Sequence, residues 1–259
     1  MIIIKSEKEI ENIRLAAKIL SEAHNLIEQN IRPGISTYEL DKIAEKFILE
    51  QDAIPSQKGY KNFIEGKPDF PAAACISIND EVIHGVPSKS KILRQGDIVS
   101  IDLTVEKNRY FADAARTYIV GEAKTKEDEK LVKTTIEAFY EGIKYAKIGN
   151  RIGDISNAIQ RFVNKNGFDV IRAYQGHGVG SKMHEEPGIP NYGKAGVGPR
   201  LEEGMTLAIE PMVVQGSYEV LELDDGWTVV TKDGKNSAHY ENTILITNDG
   251  PEILTLSTK

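Results

Sequence analysis

The chain has 259 residues, 40% of them hydrophobic, which is enough for one large α/β domain with a buried core. Its net charge of −7 argues against a nucleic-acid partner, since phosphate binding needs a basic face. A single cysteine, Cys75, cannot form an intramolecular disulfide, which fits a reducing compartment. The apolar run at residues 2–4 is too short for a signal peptide, and no stretch is long and apolar enough to span a membrane. We therefore expect a cytoplasmic protein that needs neither a membrane nor nucleic acid.

In the first half, the pattern predicts two helices followed by strands. Ser6 and Glu9 form a capping box ahead of a helical stripe that ends at Pro33-Gly34. A second helix is predicted from about Thr37. Short β-rich runs then cover residues 98–105 and 116–120.

The second half repeats this order. Helices are predicted at 131–146 and 155–163, and strands follow. Within those strands Glu210 lies six residues after the turn glycine Gly204, as Asp102 lies six residues after Gly96. This weak duplication predicts an α+β fold of two similar halves, about 1–123 and 124–259, around a pseudo-two-fold axis with a site between them. We predict that 1–259 is a single catalytic domain.

Four acidic residues interrupt strands that are otherwise apolar: Asp102, Asp113, Glu210 and Glu241. Alternation places Asp102 and Thr104 on one face, and a turn at 107–109 would let the two aspartates face each other across a hairpin. Buried carboxylates are costly unless something compensates them, and Arg116 could neutralise only one. The pattern therefore predicts a cluster of bound cations.

Glycine-rich surroundings mark three of the five histidines, His84, His177 and His184, as residues of loops or strand ends where backbone approaches a ligand. His24 lies on a helix and is expected to be structural, whereas His239 would share the face of Glu241 and support the site. Four carboxylates with one imidazole suit two ions of Mn²⁺, Fe²⁺ or Co²⁺, with Zn²⁺ an alternative.

The chain resembles the type I methionine aminopeptidases over essentially its whole length. Five blocks carry the resemblance, and their order makes it specific. These blocks are 79–87 with His84, 96–104 with Asp102, 113–117 with Asp113, 176–187 with His177 and His184, and a last set with Glu210, 226–228 and 240–243. Only 31 positions separate Glu210 from Glu241, which fits type I rather than type II.

This resemblance implies the pita-bread fold, with two pseudo-symmetric halves around a central antiparallel sheet. It also implies removal of the first methionine from nascent chains, when the second residue is small, by a hydroxide shared between two metal ions. The implied metal ligands are Asp102, Asp113, His177, Glu210 and Glu241. Glu210 would also transfer the proton from the attacking water to the leaving amine. His184 would stabilise the oxyanion and His84 would hold the peptide nitrogen, and the alternative assignment exchanges the relative importance of the two histidines.

A narrow apolar slot for methionine is expected near these residues. Its candidate walls are Cys75, Tyr60, Phe70, Met183 and Trp227, each of which could instead be ordinary core. Two departures from the family lie here. Met183 stands where the family usually has an aromatic residue, and the stretch 60–70 is several residues longer, with 65–67 as the inserted loop.

Two other functions remain open from the sequence. A proline-specific aminopeptidase of the same fold would usually carry an extra N-terminal domain, and a non-catalytic pita-bread binding protein would usually lack the metal ligands. The partners that the resemblance implies are the N-termini of nascent polypeptides, which the protein would bind at the ribosome. We expect the protein to be a monomer.

Overall fold

The structure is a computed structural model and describes residues 1–256. Its helices are α1 (Glu7–Glu28), α2 (Thr37–Glu50), α3 (Lys126–Ile143) and α4 (Ile152–Lys165). Its strands are β1 (Ile54–Pro55), β2 (Cys75–Ile78), β3 (Glu81–Ile83), β4 (Ile98–Lys107), β5 (Tyr110–Ile119), β6 (Asp169–Val170), β7 (Gln175–Gly178), β8 (Glu185–Pro190), β9 (Thr206–Ile209), β10 (Met212–Val214), β11 (Val220–Glu222), β12 (Val229–Thr231), β13 (Ser237–His239), β14 (Asn242–Thr247) and β15 (Gly250–Ile253). None of the helices in this part of the chain has the length and apolar character needed to cross a membrane.

Helix α1 begins as the capping box predicts, because the Glu9 carboxylate accepts a 2.8 Å hydrogen bond from the backbone N–H of Ser6. It ends at Glu28, ahead of the predicted stop at Pro33-Gly34. The Asn30 side chain donates to the carbonyl of Leu26 at 2.8 Å, which satisfies one of the carbonyls left free at the end of the helix.

Strands β4 and β5 have ten residues each and form an antiparallel hairpin, and both are longer than the sequence pattern predicts. The predicted second strand started at Arg116, but β5 already starts at Tyr110 because every one of its residues pairs with β4. The turn residues Asn108 and Arg109 both have positive φ, 53° and 70°. Two such residues twist the backbone in the sense that suits a tight hairpin.

Helix α3 differs from its prediction at both ends. It starts five residues before position 131, because the Thr125 hydroxyl accepts a 3.1 Å hydrogen bond from the backbone N–H of Asp128 and caps the helix there. It stops at Ile143 rather than at 146. Helix α4 covers the predicted segment with a few residues added at each end.

Each half packs its helix pair against its own long strands. One buried cluster joins α1 and α2 to β4 and β5, and a second joins α3 and α4 to β9 and β14. The two sheets meet where Ala115 of β5 and Glu241 exchange backbone hydrogen bonds of 3.0 and 3.3 Å. This arrangement matches the predicted pair of halves, and it places Glu241 at their junction.

Candidate active site between the two halves

Acidic and imidazole side chains converge at this junction. Asp113 of β5, His177 of β7 and Glu241, just before β14, each offer one ligand atom, and these atoms all lie within 4.8 Å of one another. Glu210 follows β9, and its Oε1 lies 3.7 Å from Nε2 of His177. Asp102 of β4 lines the same cavity as Asp113, His177 and Glu210. The structure therefore brings together all five residues that were predicted to bind metal.

The hairpin register explains how the two aspartates meet. Asp113 pairs with Thr104 and Asp102 with Ala115, so the aspartates are diagonal neighbours on one face rather than directly opposite. The Thr104 hydroxyl donates to Oδ1 of Asp113 at 2.9 Å. The side chain of Gln57 bridges both residues of β4, because it donates to Asp102 at 3.2 Å and accepts from the Thr104 N–H at 2.8 Å. No pattern in the sequence marks Gln57, whereas the alternation of β4 already placed Thr104 on this face.

Burial and mutual repulsion make the cluster electrostatically costly. Burial raises the pKa of Asp113 to about 7. It also raises the pKa of Asp102, Glu210 and Glu241 well above the usual range of carboxyl groups, and repulsion from neighbouring carboxylates adds to the rise. Without a cation these carboxyl groups tend to bind protons, so all four can be ionised together only if cations bind among them.

The imidazole of His177 is oriented for such a cation. Its Nδ1 donates a 2.9 Å hydrogen bond to the carbonyl of Gly178, which leaves the lone pair of Nε2 directed at the carboxylates. Burial lowers the pKa of His177 to about 3, so the ring is neutral at physiological pH. A neutral imidazole is the form that binds metal ions.

Two buried atoms of the cluster have no hydrogen-bond partner within residues 1–256, Oε1 of Glu241 and Nε2 of His239. His239 was expected to share the face of Glu241 and to support the site, and its Nε2 lies 3.6 Å from Oε2 of Glu210. Arg116 forms no ion pair with a carboxylate among residues 1–256, because its guanidinium donates to the backbone carbonyls of Glu241 and Thr255. An unpartnered carboxylate oxygen among such acids fits the oxygen-rich ligand set that divalent cations take.

His84 and His184 lie at the wall of the same cavity, outside the cluster of carboxylates. The His184 ring lies edge-to-face against His177, with centroids 4.4 Å apart. Its Nδ1 forms a 2.9 Å hydrogen bond with the hydroxyl of Tyr60. His84 has a positive φ of 57° and packs against Tyr174, a contact that the sequence did not suggest. Burial lowers the pKa of His84 to about 4 and lowers that of His184.

An apolar end of the cavity adjoins these histidines. The whole cavity has a volume of about 390 Å³, and its wall includes each predicted pocket residue: Cys75, Tyr60, Phe70, Met183 and Trp227. The rings of Phe70 and Trp227 meet edge-to-face at 5.3 Å. Trp227 is held in place by a 2.8 Å hydrogen bond from Nε1 to the carbonyl of Pro68 in the longer loop. His24, by contrast, lies in α1 and donates to the carbonyl of Ala114, as a structural residue would.

Comparison with known proteins agrees with the architecture and with divalent metal binding. The sequence pattern of "Metallopeptidase family M24" matches residues 11–248. The methionine aminopeptidase of Clostridium perfringens is 55% identical over 99% of both chains. The structure of the methionine aminopeptidase of Thermotoga maritima has a TM-score of 0.94 at 44% identity and covers 99% of this chain and 100% of that chain.

Proline-specific enzymes are more distant. A prolidase from Pyrococcus furiosus has a TM-score of 0.77 at 25% identity, and the match covers 99% of this chain but only 66% of that chain. The proline-specific alternative is therefore not favoured. The fold is the predicted pita-bread fold, with helices and sheets in both halves. Metallopeptidase family M24 is thus the family to which this chain belongs.

Proposed function

We propose that this protein is a metal-dependent aminopeptidase that removes methionine from the N-terminus of polypeptides. The observation that carries the proposal is the junction of a buried carboxylate–imidazole cluster with an apolar cavity, and two further histidines lie where the two meet. The Clostridium perfringens relative bears the name of this activity and aligns along its whole length.

Two divalent ions are proposed to bind to Asp102, Asp113, His177, Glu210 and Glu241. Four carboxylates with two oxygens each and one imidazole offer more donor atoms than one such ion takes, and the set suits Mn²⁺, Fe²⁺, Co²⁺ or Zn²⁺. Bound there, such ions would lower the pKa of water so that hydroxide is available near neutral pH. A metal-free control should therefore be inactive.

The residues of the chain then supply proton transfer and orientation. Glu210 takes a proton from the attacking water and returns it to the leaving amine, a role suited to a carboxylate inside the cluster, with Oε1 3.7 Å from Nε2 of His177. His184 donates a hydrogen bond from Nε2 to the carbonyl oxygen as negative charge develops there. With Tyr60 as donor, Nδ1 of His184 is the acceptor and Nε2 carries the proton. His84, which lines the same cavity, holds the peptide nitrogen.

Selection of methionine follows from the apolar end of the cavity. Burial raises the pKa of the Cys75 thiol well above its usual value, so this wall stays neutral and apolar at physiological pH. Phe70 and Trp227 supply rigid faces, whereas Met183 is adaptable, which should allow leucine or norleucine at lower rates. Lysine and glutamate at the first position should be excluded, because nothing in this slot compensates a charge.

The second residue of the substrate must pass between the histidine-bearing loops. A bulky side chain there would displace the peptide, and an error of about 1 Å can cost on the order of 10²-fold in rate. We therefore propose that methionine is released before Ala, Gly, Ser, Thr, Pro or Val. The substrates would be nascent chains in the cytoplasm, and the enzyme would act as a monomer.

One assay tests the proposal. The purified protein, stripped of metal and then reconstituted with Mn²⁺, Fe²⁺, Co²⁺ or Zn²⁺, is given Met-Ala-Ser, Met-Lys-Ser and Ala-Pro-Ala. We expect release of methionine from Met-Ala-Ser alone and only with metal. Preferred cleavage of Ala-Pro-Ala would support a proline-specific enzyme, and the absence of cleavage with every metal would support a binding protein.

A further inference from the structure

A second cavity, of about 510 Å³, adjoins the catalytic cavity. Three residues line both cavities: Tyr60, Phe63 and Met183. The other large cavities within residues 1–256 share no lining residue with the catalytic one. We name this second cavity the side groove.

An aminopeptidase that acts on proteins must let the rest of the substrate leave its active site. Each extended residue advances the chain by roughly 3.3 Å, so the third and later residues lie outside the slot that selects the first. The side groove is open to solvent and continuous with the walls around His184. We propose that the side groove binds the third to fifth residues of the substrate polypeptide and favours apolar and acidic side chains there, an inference that rests on the proposed function.

Large apolar side chains are part of the lining of the side groove. Ile54 is 54% exposed and Phe63 is 87% exposed, although both are large and apolar. Phe111 of β5 lies on the same lining. Covering such side chains with an apolar residue of a peptide removes them from water, which favours binding.

The lining charges are three lysines against one glutamate, Glu106. Two of the lysines are already paired, Lys58 with Glu45 and Lys61 with Asp69. Lys182 and Glu106 both have no ion-pair partner in the part of the chain that the structure describes, so the groove carries one free charge of each sign. Lys182 directly precedes the shared residue Met183, so its positive charge lies nearer the catalytic cavity in sequence and should attract an acidic third residue of the substrate and repel a basic one.

Matched hexapeptides test this preference in the metal-loaded enzyme. Met-Ala-Glu-Leu-Ser-Gly and Met-Ala-Lys-Leu-Ser-Gly differ only at the third residue, and Met-Ala-Ser serves as the short reference. We expect a KM for the glutamate peptide that is about twofold to fivefold lower than for the lysine peptide, the size of one exposed charge contact. The difference should shrink in about 1 M salt, where charges are screened.

Variants of groove residues test whether the side groove causes the difference in KM between the two hexapeptides. Lys182→Glu should reverse the order of the two hexapeptides, and Ile54→Ser should raise the KM of both relative to Met-Ala-Ser. Lys18→Glu makes the same charge change on the exposed face of α1 and should preserve the order. Ratios to Met-Ala-Ser cancel any general loss of activity in a variant.

The outcomes separate the two proposals. If the enzyme with added metal does not cleave Met-Ala-Ser, the proposed function fails. If Met-Ala-Ser is cleaved but the wild-type protein treats both hexapeptides alike, or Lys182→Glu leaves their order unchanged, the groove proposal is overturned and the proposed function stands.

Discussion

The loop that carries His184 is held by a buried ion pair from the N-terminal segment. The ammonium of Lys5 lies 2.7 Å from Oε2 of Glu185, and both side chains are 2% exposed. Oε1 of Glu185 accepts hydrogen bonds from the Ser181 hydroxyl and the Lys182 N–H, each at 3.1 Å. Replacement of Lys5 by methionine would keep an apolar stem of similar length and leave the Glu185 carboxylate buried without its cation.

The expected loss of stability is large for a single residue. Removal of one partner from a buried ion pair costs about 3–5 kcal/mol, because the remaining charge is uncompensated. A domain of ordinary stability has roughly 5–15 kcal/mol in total. We therefore expect Lys5→Met to lower the free energy of unfolding by a substantial fraction and to lower kcat through misplacement of His184.

Urea denaturation measures the free energy, and release of methionine from Met-Ala-Ser measures kcat. Lys46→Met is the matched control, because the Lys46–Glu50 pair on α2 is 3.8 Å long with side chains 78% and 58% exposed. Such an exposed pair contributes at most about 1 kcal/mol. The double variant Lys5→Met, Glu185→Gln should recover stability relative to Lys5→Met, since the stranded charge is gone. Equal losses in Lys5→Met and Lys46→Met, or a double variant no more stable than Lys5→Met, would refute the reasoning.

Three other predictions concern the site. Asp113→Ala should abolish tight metal binding and activity together, measured by calorimetric titration with Mn²⁺ and by methionine release; retained metal affinity would contradict its role as a ligand. His84→Ala and His184→Ala should each lower kcat by roughly 10²-fold or more while metal content stays normal, and loss of metal from either variant would reassign that histidine. Tyr60→Phe removes one hydrogen bond to His184, worth about 0.5–1.5 kcal/mol, so kcat should fall roughly twofold to tenfold. Tyr145→Phe, at an exposed position of the second half, is its control, and equal rates in the two tyrosine variants would show that the hydrogen bond does not position His184.

Local patterns predicted those features that depend on neighbours along the chain. The capping box of Ser6 and Glu9 was confirmed because the residues that satisfy it are three positions apart. The turn near Asn108 was predicted because polar residues interrupt two apolar runs. The predicted end of α1 and the predicted start of α3 were wrong. Side-chain hydrogen bonds of Asn30 and Thr125 stabilise these helix ends, and the periodicity of apolar residues carries no information about such bonds.

The acidic cluster could be predicted from sequence because a carboxylate in an apolar strand is itself anomalous. Asp102, Asp113, Glu210 and Glu241 each break a run that would otherwise be buried. Alternation fixes the face of Asp102 and Asp113 within β4 and β5, whereas Glu210 and Glu241 were expected in strands and lie just outside β9 and β14. Their convergence was inferred from the duplication and from the family resemblance. The structure adds the diagonal offset of the two aspartates, which follows from the hairpin register.

Periodicity and the internal duplication in the sequence predicted the α+β class, the order of helix pair and strands in each half and the four acidic residues, and the family resemblance added His177 to the predicted ligands. Only the tertiary structure decided which distant side chains contact the site residues and the loop around them. Gln57 hydrogen-bonds to Asp102, and Tyr60 hydrogen-bonds to His184. Lys5 forms an ion pair with Glu185. Each of these contacts joins residues 45 to 180 positions apart in the chain. No local propensity or repeat encodes such a pair, because its formation depends on how two packed halves bring separate loops to the same cavity.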